Sequence, residues 1–151
     1  MSNKDIELKD HTFNDLKIGQ TDQFRRKIID DDLEQFGRLT GDYNPIHYDS
    51  EYAEKTKFKG CIIQGLLTAS FISPLIGMLL PGKQALYLSQ HMKFIKPVRV
   101  GDELTVKGTV ISKNVKDKTF ILLTEINNQE DSLVLTGEAK ILVRDDEFEN
   151  E

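Results

Sequence analysis

The stretch Gln64–Leu80, QGLLTASFISPLIGMLL, lies in the most apolar run of the chain, which extends from Ile62 to Leu80, and Pro81-Gly82 closes it. Its spacing points to a helix whose inward positions are Leu66, Leu67, Ser70, Phe71, Pro74, Leu75 and Met78. The run approaches the length that crosses a bilayer, but Gln64, Gly65, Thr68, Ser70, Ser73, Pro74 and Gly77 interrupt it. A long central helix buried in a protein core is expected, and no membrane span. Beyond it the pattern changes to alternation and β-branched runs: LYLSQHMKFI (86–95), LTVKGTVIS (104–112), KTFILLTEI (118–126) and LVLTGEAKILV (133–143). These read as four consecutive antiparallel strands, with Val100-Gly101-Asp102 and Lys116-Asp117-Lys118 as hairpin-like links. On the other side, TDQFRRKII (21–29) can form an edge strand. Asp31 with Glu34 forms a capping signal for a helix carrying Leu33, Phe36 and Leu39 and ending near Gly41, and Asp49 or Ser50 can cap a second short helix. Helices first, one of them almost wholly apolar, then a run of strands, give an α+β domain whose antiparallel sheet must wrap the central helix.

The chain has 151 residues, enough for one core, and no repeat, linker or composition break divides it, so residues 1–151 are expected to form a single domain. Residues 145–151, DDEFENE, lack apolar periodicity and read as a disordered acidic tail. Lys and Arg total 20 against 25 Asp and Glu, so the net charge of -5 supplies no field that would gather nucleic acid or anionic lipid. A small or carrier-borne substrate fits better. The single cysteine, Cys61, excludes an intrachain disulfide and is expected to be a buried, inert thiol. A reducing cytoplasm is the default location, since the first residues carry no signal-peptide core. His11 and His91 stand in unrelated segments, so no metal site is expected. The glycine patterns of nucleotide-binding loops are missing.

Chemistry concentrates in Leu39–Asp49, LTGDYNPIHYD. Asp42 and His47 lie five residues apart in a loop that Gly41 and Asn44-Pro45 restrict, so both side chains could be held toward one water molecule. An ionised Asp can take a proton from that water, and an imidazole can exchange one near neutral pH. For an arbitrary Asp and His the commoner situation is a turn cap and a histidine bonded to a backbone carbonyl.

The pattern T-G-D-x-N-P-x-H, here Thr40, Gly41, Asp42, Asn44, Pro45 and His47, resembles the signature of the MaoC-like hydratases and dehydratases. The resemblance continues through QGLLTASFIS and PGKQALYLSQHMKFIKPVRVGDELTV, which are similar to short (R)-specific enoyl-CoA hydratases, and is close over residues 24–112. It implies a hot-dog fold and reversible hydration of trans-2-enoyl-CoA to (R)-3-hydroxyacyl-CoA. In this family the Asp and His activate water for addition at C3 and supply the proton to C2, roles that fall on Asp42 and His47. The oxyanion donor implied is the backbone N–H of Gly65, at the start of the apolar helix, where N–H groups lack helical partners. Supporting positions are Asn44, bracing the loop, Ser73, matching a serine that bonds near the catalytic Asp, and Gln64, where many relatives carry His. An amide cannot titrate, so any proton-carrying role there is lost. Tyr48 is a candidate pocket wall. No cofactor is implied beyond coenzyme A as part of the substrate; a homodimer with sheets joined edge to edge is. Rival readings are the same chemistry on an acyl-carrier-protein thioester, a non-catalytic acyl-thioester binding protein and a hot-dog thioesterase.

Overall fold

The computed structural model describes residues 5–146. Strand β1 (Thr21–Lys27) leads into helix α1 (Asp30–Thr40), followed by the short helices α2 (Pro45–Tyr48), α3 (Ser50–Glu54), α4 (Gly65–Ser70) and α5 (Ile72–Pro74). Strands β2 (Ala85–Phe94), β3 (Glu103–Asn114), β4 (Thr119–Asn127) and β5 (Leu133–Val143) complete the described chain. The five strands form one antiparallel sheet in the order β1-β3-β4-β5-β2, with β1 at an edge as expected. Only β3, β4 and β5 form a meander. β2 pairs with β5, not with β3, so the hairpin expected at Val100–Asp102 does not exist. That segment instead extends the pairing of β1: Gly101 N–H donates to Ile28 O at 2.8 Å and Ile28 N–H to Asp102 O at 2.9 Å.

The long central helix is also corrected: it is broken after Ser70 and continues as α5 and a wide π turn over Leu75–Leu79. Pro74 supplies the cause, since it has no N–H for the carbonyl of Ser70 and its ring crowds that oxygen. In the wide turn Leu80 N–H reaches back five residues to Leu75 O at 2.9 Å. The break re-aims side chains. Leu67 and Leu75 are buried as expected, but Leu66 and Ser70 face solvent, while Ile72, Ile76 and Leu79 enter the core. The π turn touches β1 and β2, the two edge strands, as well as β3, so the sheet curls around it. Inward residues alternate along the strands, with Leu104, Val106 and Val110 on β3, Phe120, Leu122 and Ile126 on β4, and Leu135, Ala139 and Ile141 on β5. No described helix is long and apolar enough to cross a membrane.

Helix α1 starts one residue before the expected cap. Asp30 is its first residue, so the third position, from which a carboxylate can reach back, is Asp32. Its Oδ2 accepts from Ile29 N–H at 2.9 Å, and Asp31 bonds Gln35 instead. Asp49 caps α3 as expected, accepting from Tyr52 N–H at 3.0 Å.

The segment before β1 contributes more than its polarity suggests. Phe13 and Leu16 are buried, and Lys113 Nζ donates to both of their carbonyls, at 2.8 and 2.6 Å. Asp145 accepts from Phe13 N–H at 3.2 Å and pairs with Lys118, while Asp146 N–H donates to Gln84. The first two residues of the expected acidic tail are therefore held; 147–151 lie outside the described residues.

Candidate active site

The loop that carries Asp42 and His47 is built from local hydrogen bonds. Gly41 ends α1 in the left-handed region at φ 80°, where its N–H bonds Gly37 O at 2.8 Å. Thr40 Oγ1 accepts from Asp42 N–H at 3.2 Å, Asp42 Oδ1 from Asn44 N–H at 3.2 Å, and Asn44 Oδ1 from Ile46 N–H at 3.1 Å. Asn44 thus caps α2, with Pro45 as its first residue, in the bracing position expected of it. His47 lies within this short helix. Its Nδ1 is 2.7 Å from the carbonyl of Ile62, which can only accept, so in the neutral ring Nδ1 carries the hydrogen and Nε2 keeps the lone pair.

Gln64 ties this loop to α4. It is 2 % exposed, and its Nε2 donates to Tyr48 Oη at 2.8 Å and, more weakly, to the backbone carbonyl of Asp42 at 3.5 Å. Tyr48 Oη in turn donates to Leu33 O at 2.8 Å. With its hydrogen so used, the phenol must accept from Gln64, which fixes the amide orientation. Gln64 Oε1 is left buried without a partner among the described residues, an arrangement that costs about 1–3 kcal/mol.

Gly65 opens α4, and its N–H meets no acceptor among the described residues. The ring of Phe94 lies against it, so close that a Cβ at this position would stand 3.0 Å from Phe94 Cε1. Gly65 and His47 line the same cavity, of about 390 Å³, together with Thr68, Phe94, Lys57 and Lys96. Among the described residues its lining contains no carboxylate. A second cavity, of about 710 Å³, shares His47, Ile62 and Ile63 with the first but is edged by Asp30, Asp31 and Glu34. Arg99 also lines it, yet its guanidinium is occupied by the carbonyls of Cys61, at 3.1 Å, and Phe58.

The expected residues are brought together unevenly. His47 and Gly65 meet at one cavity, whereas Asp42 lines neither and is exposed on its loop. Ser73 is on the exposed side of α5, and no hydrogen bond joins it to Asp42. Cys61 is partly exposed on the wall of the larger cavity rather than buried, and its carbonyl accepts from the Arg99 guanidinium. Among the described residues no group of three His, Cys, Asp or Glu could hold a metal. Phe94, Thr68 and Arg99 were missed from the sequence. A small residue at 65 opposite an aromatic strand end is the only trace that Phe94 leaves there.

A family model described as "MaoC like domain" matches residues 14–130. The chain belongs to the MaoC-like family. The (R)-specific enoyl-CoA hydratase of Rhodospirillum rubrum is 38% identical over 143 residues, covering 95% of this chain and 97% of that protein. The 3-hydroxybutyryl-CoA dehydratase of Methylorubrum extorquens is 38% identical over 137 residues, covering 91% of this chain and 87% of that one. Among solved structures, unliganded R-hydratase PhaJ1 from Pseudomonas aeruginosa superposes with a TM-score of 0.86 at 32% identity, covering 95% of each chain. The α+β architecture is thus the hot-dog fold of MaoC-like hydratases, and the similarity extends well beyond residues 24–112, into β4 and β5.

Proposed function

We propose that this chain catalyses the reversible addition of water to trans-2-enoyl-CoA, giving (R)-3-hydroxyacyl-CoA. The observation that carries the reading is that His47 and Gly65 line one cavity, with no partner for His47 Nε2 or the Gly65 N–H among the described residues. In the proposed step the water oxygen bonds to C3 while Asp42 and His47 take one of its protons and deliver one to C2. The thioester carbonyl gains enolate character as this happens, and Gly65 N–H stabilises the developing charge. In this proposal Asp42 acts from its own loop: its Oδ1 accepts from Asn44 N–H, and its Oδ2 takes no hydrogen bond from the described residues. The cavity's two lysines, with no carboxylate among the described lining residues, suit a phosphate-bearing carrier arm. No cofactor enters the scheme.

The names of the relatives support the coenzyme A thioester as substrate. The test is a panel of enoyl thioesters of several chain lengths on both coenzyme A and acyl carrier protein, followed by loss of the conjugated absorbance. Turnover of the coenzyme A series supports the reading; turnover of the carrier-protein series alone moves the activity to that carrier, and tight binding without turnover makes the chain a binding protein. The chain is further proposed to work as a homodimer joined along the free edge of β2, where Leu86 and Leu88 are exposed. Light scattering should report twice the chain mass.

A further inference from the structure

We infer that Tyr48 is a positioning residue whose hydroxyl, held between the Leu33 carbonyl and the Gln64 amide, sets the Asp42–His47 loop against the start of α4. The inference rests on the roles proposed above for Asp42, His47 and Gly65. Tyr48 directly follows His47, and Gln64 directly precedes Gly65. The 2.8 Å bond between their side chains therefore spans from the residue beside the imidazole to the residue beside the oxyanion donor. Through Leu33 O the same oxygen is fastened to α1, the helix that ends at the loop bearing Asp42, and through Gln64 Nε2 the carbonyl of Asp42 is drawn to the same amide. Three separate segments meet at one oxygen atom.

A second observation shows that this oxygen's seat is built for it. Gly37 lies inside α1, where glycine weakens a helix relative to alanine. A Cβ there would fall 2.4 Å from Tyr48 Oη and 2.9 Å from Tyr43 Cε1, so only a glycine lets the phenol reach Leu33. Tyr43 packs on Tyr48 with ring centroids 5.2 Å apart, and His47 meets its edge at 6.4 Å. Burial pushes the phenol's ionisation up, and the charges of Glu34 and Asp42 push the same way while the Gln64 bond partly opposes it. It remains a donor throughout the neutral range. Since the amide of Gln64 does not titrate either, the link holds the loop independently of pH.

Three variants separate positioning from simple stabilisation. Tyr48→Phe removes the oxygen and keeps the ring; Gly37→Ala keeps the oxygen and displaces it; the double variant Tyr48→Phe with Gln64→Met removes the polar pair without stranding a buried donor. With a short enoyl-CoA, Tyr48→Phe and Gly37→Ala should each lower kcat roughly tenfold and leave KM within about twofold, since sub-ångström misplacement falls short of the roughly hundredfold loss of a full 1 Å shift. Combining these two should cost little more than either alone. The Phe/Met double variant should regain melting temperature but not kcat. Without substrate, amide exchange should quicken in Tyr48→Phe at both 44–49 and 62–65. A folded Tyr48→Phe with kcat within about twofold of wild type, or kcat returning together with melting temperature in the Phe/Met variant, overturns the inference, as does unchanged exchange at either segment. Wild-type protein that hydrates no enoyl thioester, with the exchange change present, overturns the proposed function and leaves the positioning link standing.

Discussion

Replacing His47 by Asn tests the imidazole without disturbing its anchor. Asn Nδ2 can occupy the place of imidazole Nδ1 and donate to Ile62 O, now 2.7 Å from the ring, while the atoms that carry Nε2 are deleted. His47 is only partly buried, so the lost ring atoms should cost about 1 kcal/mol of stability, the scale of a small truncation. His47→Gln makes the opposite trade, placing an amide near the old Nε2 and leaving the Ile62 carbonyl without its donor, at about 1–3 kcal/mol. Denaturant midpoints should therefore fall in the order wild type, Asn, Gln. For turnover, a positioned acid-base group contributes about 10² to 10⁴, or roughly 2.7–5.4 kcal/mol of barrier, so both variants should lose at least about a hundredfold in kcat. The assay is loss of enoyl-thioester absorbance, with circular dichroism confirming the fold. Folded His47→Asn turning over within about threefold of wild type would refute the catalytic role, and Asn no more stable than Gln would refute the Nδ1 anchor.

Gly137→Ala should loosen β2, because the new Cβ would stand 1.9 Å from His91 O and 2.7 Å from Met92 Cα. A loss of roughly 3 kcal/mol is expected by urea denaturation, and light scattering should show the proposed dimer weakening with it; an unchanged midpoint would mean that the two strands do not approach so closely. Ile126→Ala, at a fully buried position on β4, should cost about 2–5 kcal/mol in the same measurement. Asp117 has its carboxyl held below the usual value of 3.8, first by the hydrogen bond from the Thr119 hydroxyl. A lowered folded value stabilises the fold above the unfolded one and is lost as the pH falls through the lowered value. Asp117→Asn should thus melt below wild type at neutral pH, and the two melting curves should converge as the pH drops below 3.8.

The loop around Asp42 was legible because its bonds are local: Gly41, Thr40 and Asn44 each act on backbone within four residues. Its anchors were not. Ile62 meets His47 and Leu33 meets Tyr48 across fifteen positions of sequence, and Arg99 reaches Cys61 and Phe58 across 38 and 41. Strand number and extent were readable from alternation, but alternation does not say which strand a neighbour pairs with. The stretch from the end of β2 at Phe94 to the start of β3 at Glu103, with Pro97 inside it, exceeds a hairpin link and was the available signal for a crossover. Pro74 was in plain view as well. Placing it among inward helix positions overlooked what a missing N–H does to the turn before it. Phe13 and Leu16 escaped notice because the groups that cover their backbone, Lys113 and Asp145, lie about a hundred residues or more away.

Because Phe13 gives its N–H to Asp145 and its carbonyl to Lys113, segments from opposite ends of the described chain are fastened side by side. Joining the ends of the described segment, residues 5 and 146, through a linker and reopening the chain in the turn at 129–131, where exposed residues connect β4 to β5, would yield a circular permutant. Every strand pairing would survive, while β5 would become the first element synthesised and β4 the last. The central strand, β4, could then pair with neither β3 nor β5 until the whole chain had been made, so the order in which the ribosome delivers the strands could be varied without changing the fold they reach.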